Sequence, residues 1–428
     1  MLSPMDAVMA PFGLHLLYVY PAPTASSFDL ERLQTSFYSL IEEDYPVFLG
    51  RLYKDDVTGA VGVEPTPDSQ SLGAKSISFV VDTDSKVTTN EAIDSASLTL
   101  LPSARNKESG ELLRVKCSRL ADGGLALGFD MPHCMLDGEG MFTFVKTWAR
   151  HYRGAPRSPS DAICHDRHLL NPRGAKPALE HPEFLVPPVS VAAPVLTTLE
   201  APPPASLPPK TAMKPFHLAP EQLRELKALV CDENAYASTV DAVTALFTLL
   251  ITQARGHTED VKITTGVNGR RRFDPPLPHN YAGNVIFNAL STYSATELQK
   301  SSRDSLRMIA RRIRASIQQR DESFMRDAIE FIASQSPVKW SDIRVGTNFF
   351  FGPDLMFTSW VNHGMYDAEF EATKPWYVGP PRLPLCDGLS IIMEAQRGDT
   401  GLDVVVLLEE KALQRLEKLW PTCLSQLR

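Results

Sequence analysis

Hydrophobic positions along the chain fall into two rhythms. Leu14 to Tyr20 is rich in β-branched, aromatic and aliphatic residues and is stopped by Pro21, and a short run closed by a breaker predicts a strand. Leu30, Leu33, Phe37, Leu40 and Ile41 recur at helical spacing, which predicts one apolar stripe on a helix that ends near Pro46. Strand-like runs return at 76–81 and 112–117. Gly123 and Gly124 predict a tight turn into a buried strand from Leu125 to Met131. Met141, Val145, Trp148, Ala149 and Tyr152 then share one helical face. The stretch 133–140 is therefore predicted to join a strand to a helix, a place where side chains are presented at an edge.

From Asn171 to Pro215 both rhythms vanish and prolines crowd in, with Pro187-Pro188, Pro202-Pro203-Pro204 and Pro208-Pro209. Proline fixes φ and removes a donor, so an extended crossover linker is predicted. Beyond it the spacing predicts helices at 219–230, 239–254 and 302–320, strands at 261–267 and 402–408, and a C-terminal helix. Mixed elements on both sides predict an α/β or α+β protein in two halves, 1–170 and 215–428, joined by a linker over 171–214. A length of 428 residues agrees with more than one core.

Composition narrows the function classes. A formal net charge of -8 opposes a polyphosphate backbone, so nucleic acid is not an expected partner. Six singly spaced cysteines form neither a disulfide framework nor a zinc pattern, which suits a reducing compartment. Met1 to Thr24 lacks a basic n-region and is broken by Pro4, Pro11 and His15, unlike a signal peptide. No apolar run is long enough to span a bilayer. The expectation is a cytoplasmic monomer with no bound metal. Cys164, His165 and His168 have no second ligand cluster and read as a surface loop.

The pattern His-x-x-x-Asp occurs twice, as His133 to Asp137 and as His363 to Asp367. Spacing alone is weak evidence, since a core histidine bonded to a backbone carbonyl is the commoner case. The first copy, however, follows the predicted buried strand and precedes Gly138 and an amphipathic helix, whereas the second lies in an irregular aromatic stretch. The serine elbow, the dinucleotide turn and the phosphate loop are all missing, which disfavours esterase, dehydrogenase and P-loop chemistry.

Gly123-Gly124, Pro132-His133-Cys134-Met135-Leu136-Asp137-Gly138 and Phe144 to Trp148-Ala149 resemble the HxxxDG region of BAHD acyltransferases, including fungal relatives acting on secondary metabolites. Further resemblances follow in order. They are Asp166-Arg167, Asn268 to Arg272 with Pro275-Pro276, Tyr281 with Gly283-Asn284, and Thr358-Ser359-Trp360. Glu369-Phe370-Glu371-Ala372-Thr373-Lys374-Pro375 stands where the family has its DFGWGKP element, having lost both glycines and the tryptophan.

This resemblance implies two chloramphenicol-acetyltransferase-like domains with a solvent channel between them. It also implies an acyl-CoA co-substrate, with acetyl-CoA as the expected donor, and a small alcohol or amine acceptor. His133 would be the general base, a role that a near-neutral imidazole suits. Thr358, with Trp360, would face the oxyanion. Asp137 would be architectural, paired across the halves with Arg270 or Arg272, and Gly138, Glu369 and Phe370 would shape the channel. For CoA, Ser238 and Thr239 at a helix start and Asn284 are nominated. The rivals are a condensation-type enzyme fed by a carrier protein, against which Pro132-His133 stands in place of a doubled His, and a non-catalytic or repurposed member of the fold.

Overall fold

The computed structural model describes residues 1–188, 209–232, 236–299, 301–382 and 386–427. The Pro202-Pro203-Pro204 run of the expected linker lies outside them. Two mixed sheets organise the chain. The first orders its strands Tyr377–Gly379, Gly13–Tyr20, Leu125–Pro132, Arg114–Arg119 and Ser78–Asp82. The second orders Ile286–Tyr293, Val261–Asn268, Leu355–Ser359, Leu389–Glu394, Leu402–Glu409 and Thr211–Leu218.

In the first sheet Leu125–Pro132 is buried along its whole length, as its largely apolar sequence predicts, with its one charged residue, Asp130, paired to Arg105. The helix Leu30–Glu43 starts where the Asp29 carboxylate accepts the Arg32 N–H. Its stripe of Leu33, Phe37, Leu40 and Ile41 is fully buried and packs on the helix Gly138–Arg153. Trp148 of that second helix donates its indole N–H to the Leu33 carbonyl at 3.2 Å and the Ser36 hydroxyl at 3.1 Å. Burying side chains of this size contributes roughly 1.5–3 kcal/mol each.

In the second sheet Leu355–Ser359 runs parallel to both neighbours, Val261–Asn268 and Leu389–Glu394. Parallel strands deliver their carboxyl ends to one edge, where ligand sites of open α/β sheets gather. Thr358, Ser359 and Trp360 stand at that edge.

The predicted strands and helices are all present with ends shifted by a few residues. The linker expectation needs one adjustment: strand pairing occurs inside the 171–214 segment, at Phe184–Leu185 against Arg344–Val345 and again from Thr211. Pro215 sits within that strand because Thr211–Leu218 is the outer strand of its sheet, where a missing N–H costs no ladder bond. The halves also interlock. Tyr377–Gly379 pairs with Gly13–Tyr20, and Phe370, Val378, Met393 and Leu407 join the core built around Trp148.

Candidate active site

His133 follows the last residue of Leu125–Pro132, and its N–H donates to the Phe12 carbonyl at 2.9 Å. Its ring Nδ1 lies 3.1 Å from Oδ1 of Asn284. The Asn284 amide can face it only one way. Its Nδ2 donates to the His133 carbonyl at 2.8 Å and to Asp6 Oδ1 at 3.1 Å, so Oδ1 is left to accept. Nδ1 of His133 therefore carries the proton, and Nε2 keeps its lone pair, an assignment made from the bonding network. Burial depresses the imidazole pKa, outweighing the opposing pull of its own backbone, the Asp137 charge and Asn284. A neutral ring with a free Nε2 can take a proton.

Asp137 points away from His133. Its carboxylate caps the following helix by accepting the Gly140 N–H at 2.9 Å, and it also accepts the Val285 N–H at 3.1 Å. Arg270 holds it in a two-pronged pair, at 2.7 and 2.9 Å, and gives further N–H bonds to the Tyr281 and Gly283 carbonyls. Arg272 is elsewhere, bonded to the Ile317 and Arg320 carbonyls. Of the two arginines left open by the sequence, Arg270 is the partner.

A cavity of about 370 Å³ opens against His133, within the range of small-molecule sites. Its wall is mostly apolar, including Leu14, Phe142, Ile286, Phe349 and Met356. Thr358 and Trp360 line it too, and among the described residues neither the Thr358 hydroxyl nor the Trp360 indole N–H has a hydrogen-bond partner. A Cβ added to Gly138 would sit 3.4 Å from Trp360 Nε1, so a longer side chain there would crowd the indole. Gly138 thus lets Trp360 lie against the motif, where its ring meets Phe142 edge to face at 5.5 Å.

The nominated CoA contacts fare differently. Asn284 is buried at 1% exposure and bonded to His133, not open to a ligand. Ser238 and Thr239 do not line the cavity. The start of their helix is occupied by its own side chains: Ser238 Oγ accepts the Asp241 N–H, while Asp241 accepts the Ser238 N–H. A carboxylate already sits where an anion would be drawn.

Among the described residues Glu369 bonds only through its carbonyl, which accepts from Arg153 at 2.7 Å. Phe370 is fully buried, with Trp148, Tyr152 and Tyr20 rings around it at 5.2, 5.3 and 5.6 Å. Both residues lie away from the cavity lining. Phe370 and Thr373 exchange backbone hydrogen bonds around Glu371 and Ala372, whose φ values are 48° and 53°. Glu371 also accepts from Ser26 and Tyr152. The expected surface loop is only partly one, since His165 Nε2 meets the Asp44 carbonyl at 2.7 Å and its ring packs on Tyr45.

One residue escaped the sequence reading. Asp6, fully buried, accepts the Asn284 backbone N–H at 2.8 Å and Arg167 at 2.9 Å besides the Asn284 amide. The signal that could have found it is Ser3-Pro4-Met5-Asp6, a capping box with proline at the first helical position.

Comparison with known proteins places this geometry in a family. The chain matches the family described as "Transferase family" over residues 1–420. It is 29% identical over 432 residues to a hydroxycinnamoyltransferase of Narcissus pseudonarcissus, covering 97% of this chain and 94% of that one. It is 30% identical to rosmarinate synthase of Plectranthus scutellarioides, covering 72% and 68%. Among solved structures it resembles F. graminearum TRI101, solved with coenzyme A and deoxynivalenol, at a TM-score of 0.76 and 16% identity over 98% of both chains. Vinorine synthase gives a TM-score of 0.68 and 19% identity, covering 97% and 91%. These likenesses agree with the mixed α/β, chloramphenicol-acetyltransferase-like fold read from the sequence. The chain belongs to this transferase family, the BAHD acyl-CoA-dependent acyltransferases, and is an enzyme that transfers acyl groups other than aminoacyl groups.

Proposed function

We propose that the protein moves an acyl group directly from a CoA thioester to a hydroxyl or amine of a largely apolar small molecule, with His133 as general base. The observation that carries this reading is the Asn284 clamp on Nδ1, which leaves Nε2 free beside the cavity. Nε2 takes the acceptor proton as the acceptor oxygen or nitrogen bonds to the thioester carbonyl carbon. The carbonyl oxygen, now anionic, is met by the Thr358 hydroxyl and the Trp360 indole N–H. Collapse breaks the C–S bond, and the imidazolium returns its proton to the CoA thiolate. Losing one such oxyanion donor costs roughly 10²–10³ in rate.

The acyl donor is tested in two forms. Acetyl-CoA is the short donor expected from the sequence, and hydroxycinnamoyl-CoA is the donor for which several relatives are named. The assignment to a fungal secondary-metabolite branch rests on the sequence resemblance alone. Each CoA thioester would be supplied with an acceptor library to wild type and to folded His133→Ala, and products read by mass spectrometry. Product lost in the variant is expected. Equal turnover by both proteins would overturn the mechanism. Product formed only from a carrier-protein thioester would favour the condensation-type reading, whose fold this chain also resembles at a TM-score of 0.61.

A further inference from the structure

The second His-x-x-x-Asp copy is not idle scenery. His363 lines the same cavity as His133, with its Nδ1 3.4 Å from Oε2 of Glu139. Glu139 follows Gly138 in the first turn of the helix Gly138–Arg153 and lines the cavity as well. Its Oε2 also accepts from the Asn268 amide, and Arg270 Nη1 stands 3.8 Å away. Among the described residues no donor reaches Oε1, and that oxygen is not sealed from the cavity. Burial pushes the carboxyl up, but bonding to His363 and Asn268 and the Arg270 charge together bring it down to about 2. The group is anionic at any working pH.

These neighbours all face Oε2 and leave Oε1 open. Asp137 and Arg270 neutralise one another. Among the described residues no lysine or arginine lines the cavity; its remaining titratable groups are His15, His133 and His363. His15 is held 3.2 Å from Asp130, which Arg105 already pairs at 2.9 Å. Oε1 of Glu139 is thus left without a donor among the described residues, in largely apolar surroundings, a costly state unless a cation or donor completes it. Aromatic rings of Phe142, Phe349, Phe350 and Trp360 share the cavity, and ring faces attract cations.

Resting on the acyl-transfer reading of this cavity, we propose that Glu139 is the acceptor-recognition residue. Its Oε1 takes a protonated amine on the acceptor, while a second, neutral nucleophile of the same molecule is acylated at His133. The acceptor class is thus an amine-bearing aromatic or aliphatic alcohol or phenol, and carboxylate-bearing acceptors are rejected.

Three phenols of matched size test this: tyramine, with an ammonium; tyrosol, with a neutral hydroxyl; and 3-(4-hydroxyphenyl)propionate, with a carboxylate. O-acylation by wild type and by Glu139→Gln, Glu139→Asp and Glu139→Lys would be measured by mass spectrometry. Calorimetric titration of each phenol without acyl-CoA scores a probe that binds but is not acylated. Wild type is expected to favour tyramine over tyrosol by about tenfold or more in kcat/KM or in binding, the usual weight of a hydrogen bond to a charged group. Glu139→Asp should keep part of that preference, Glu139→Gln should lose it, and Glu139→Lys should favour the carboxylate. Equal or better use of tyrosol or the carboxylate by wild type overturns the proposal, as does a preference that survives Glu139→Gln or the absence of binding by all three. His133→Ala separates the two readings: if it abolishes product from every phenol yet tyramine still binds preferentially, the acceptor site stands. If it turns over like wild type, the acyl-transfer mechanism fails instead.

Discussion

Asn284 fixes a proton on one nitrogen of His133 by having nowhere else to put its own Nδ2. The pH dependence of the enzyme follows from the same pocket. Burial lowers the imidazole pKa, and the proposed base would work only when unprotonated. The acid limb of kcat/KM should therefore fall below the free-histidine value of about 6.5; a limb at or above it would contradict the buried, neutral base. Asp137 belongs to stability. Asp137→Ala strands the buried Arg270, so unfolding free energy in urea should drop by about 3–5 kcal/mol. Arg270→Ala should cost a similar amount, and the double variant should cost less than the sum of the two. His133 and Asp137 were legible because one short segment spells them together with the strand and helix that hold them. Asp6 and the role of Asn284 were not, because they meet across 278 positions of sequence, and no local spacing encodes that encounter.

Turns and caps explain what misled the reading of single elements. Ser238-x-x-Asp241 looks like a helix start with N–H groups to spare, yet the same letters form a box that uses those groups internally. Ser3-x-x-Asp6 is spelled alike, but there the carboxylate also reaches Asn284 and Arg167. Only tertiary packing separates the two. The Glu371-Ala372 turn shows the reverse. Its backbone adopts positive φ at both residues although the glycine expected of such a turn is gone, because Phe370 is gripped by three rings on one side of it. Ala372→Gly should accordingly stabilise the protein by about 1 kcal/mol in chemical denaturation. Glu371→Gly should not, since it also removes the bonds to Tyr152 and Ser26.

The whole molecule is less divisible than its proline-rich middle suggests. Composition marks the change near 171 clearly, but it cannot reveal that Tyr377–Gly379 completes the first sheet or that Phe370 and Leu407 fill the first core. Those contacts are long-range, and a linker sets no limit on where a later strand docks. Trp148 lies in the first core and Trp420 packs against the second, so two variants each keeping one of these tryptophans would report the halves separately. Their urea transitions should coincide; midpoints well apart would show that the halves unfold independently.

The clamp on His133 also sets a timetable. Asp6 leaves the ribosome early, His133 follows, and the amide that sets its tautomer arrives only with residue 284; Thr358 comes later still. A nascent or prematurely ended chain thus carries the HxxxDG motif without a poised base. A working site would thus form only once residues 284 and 358 have joined the motif.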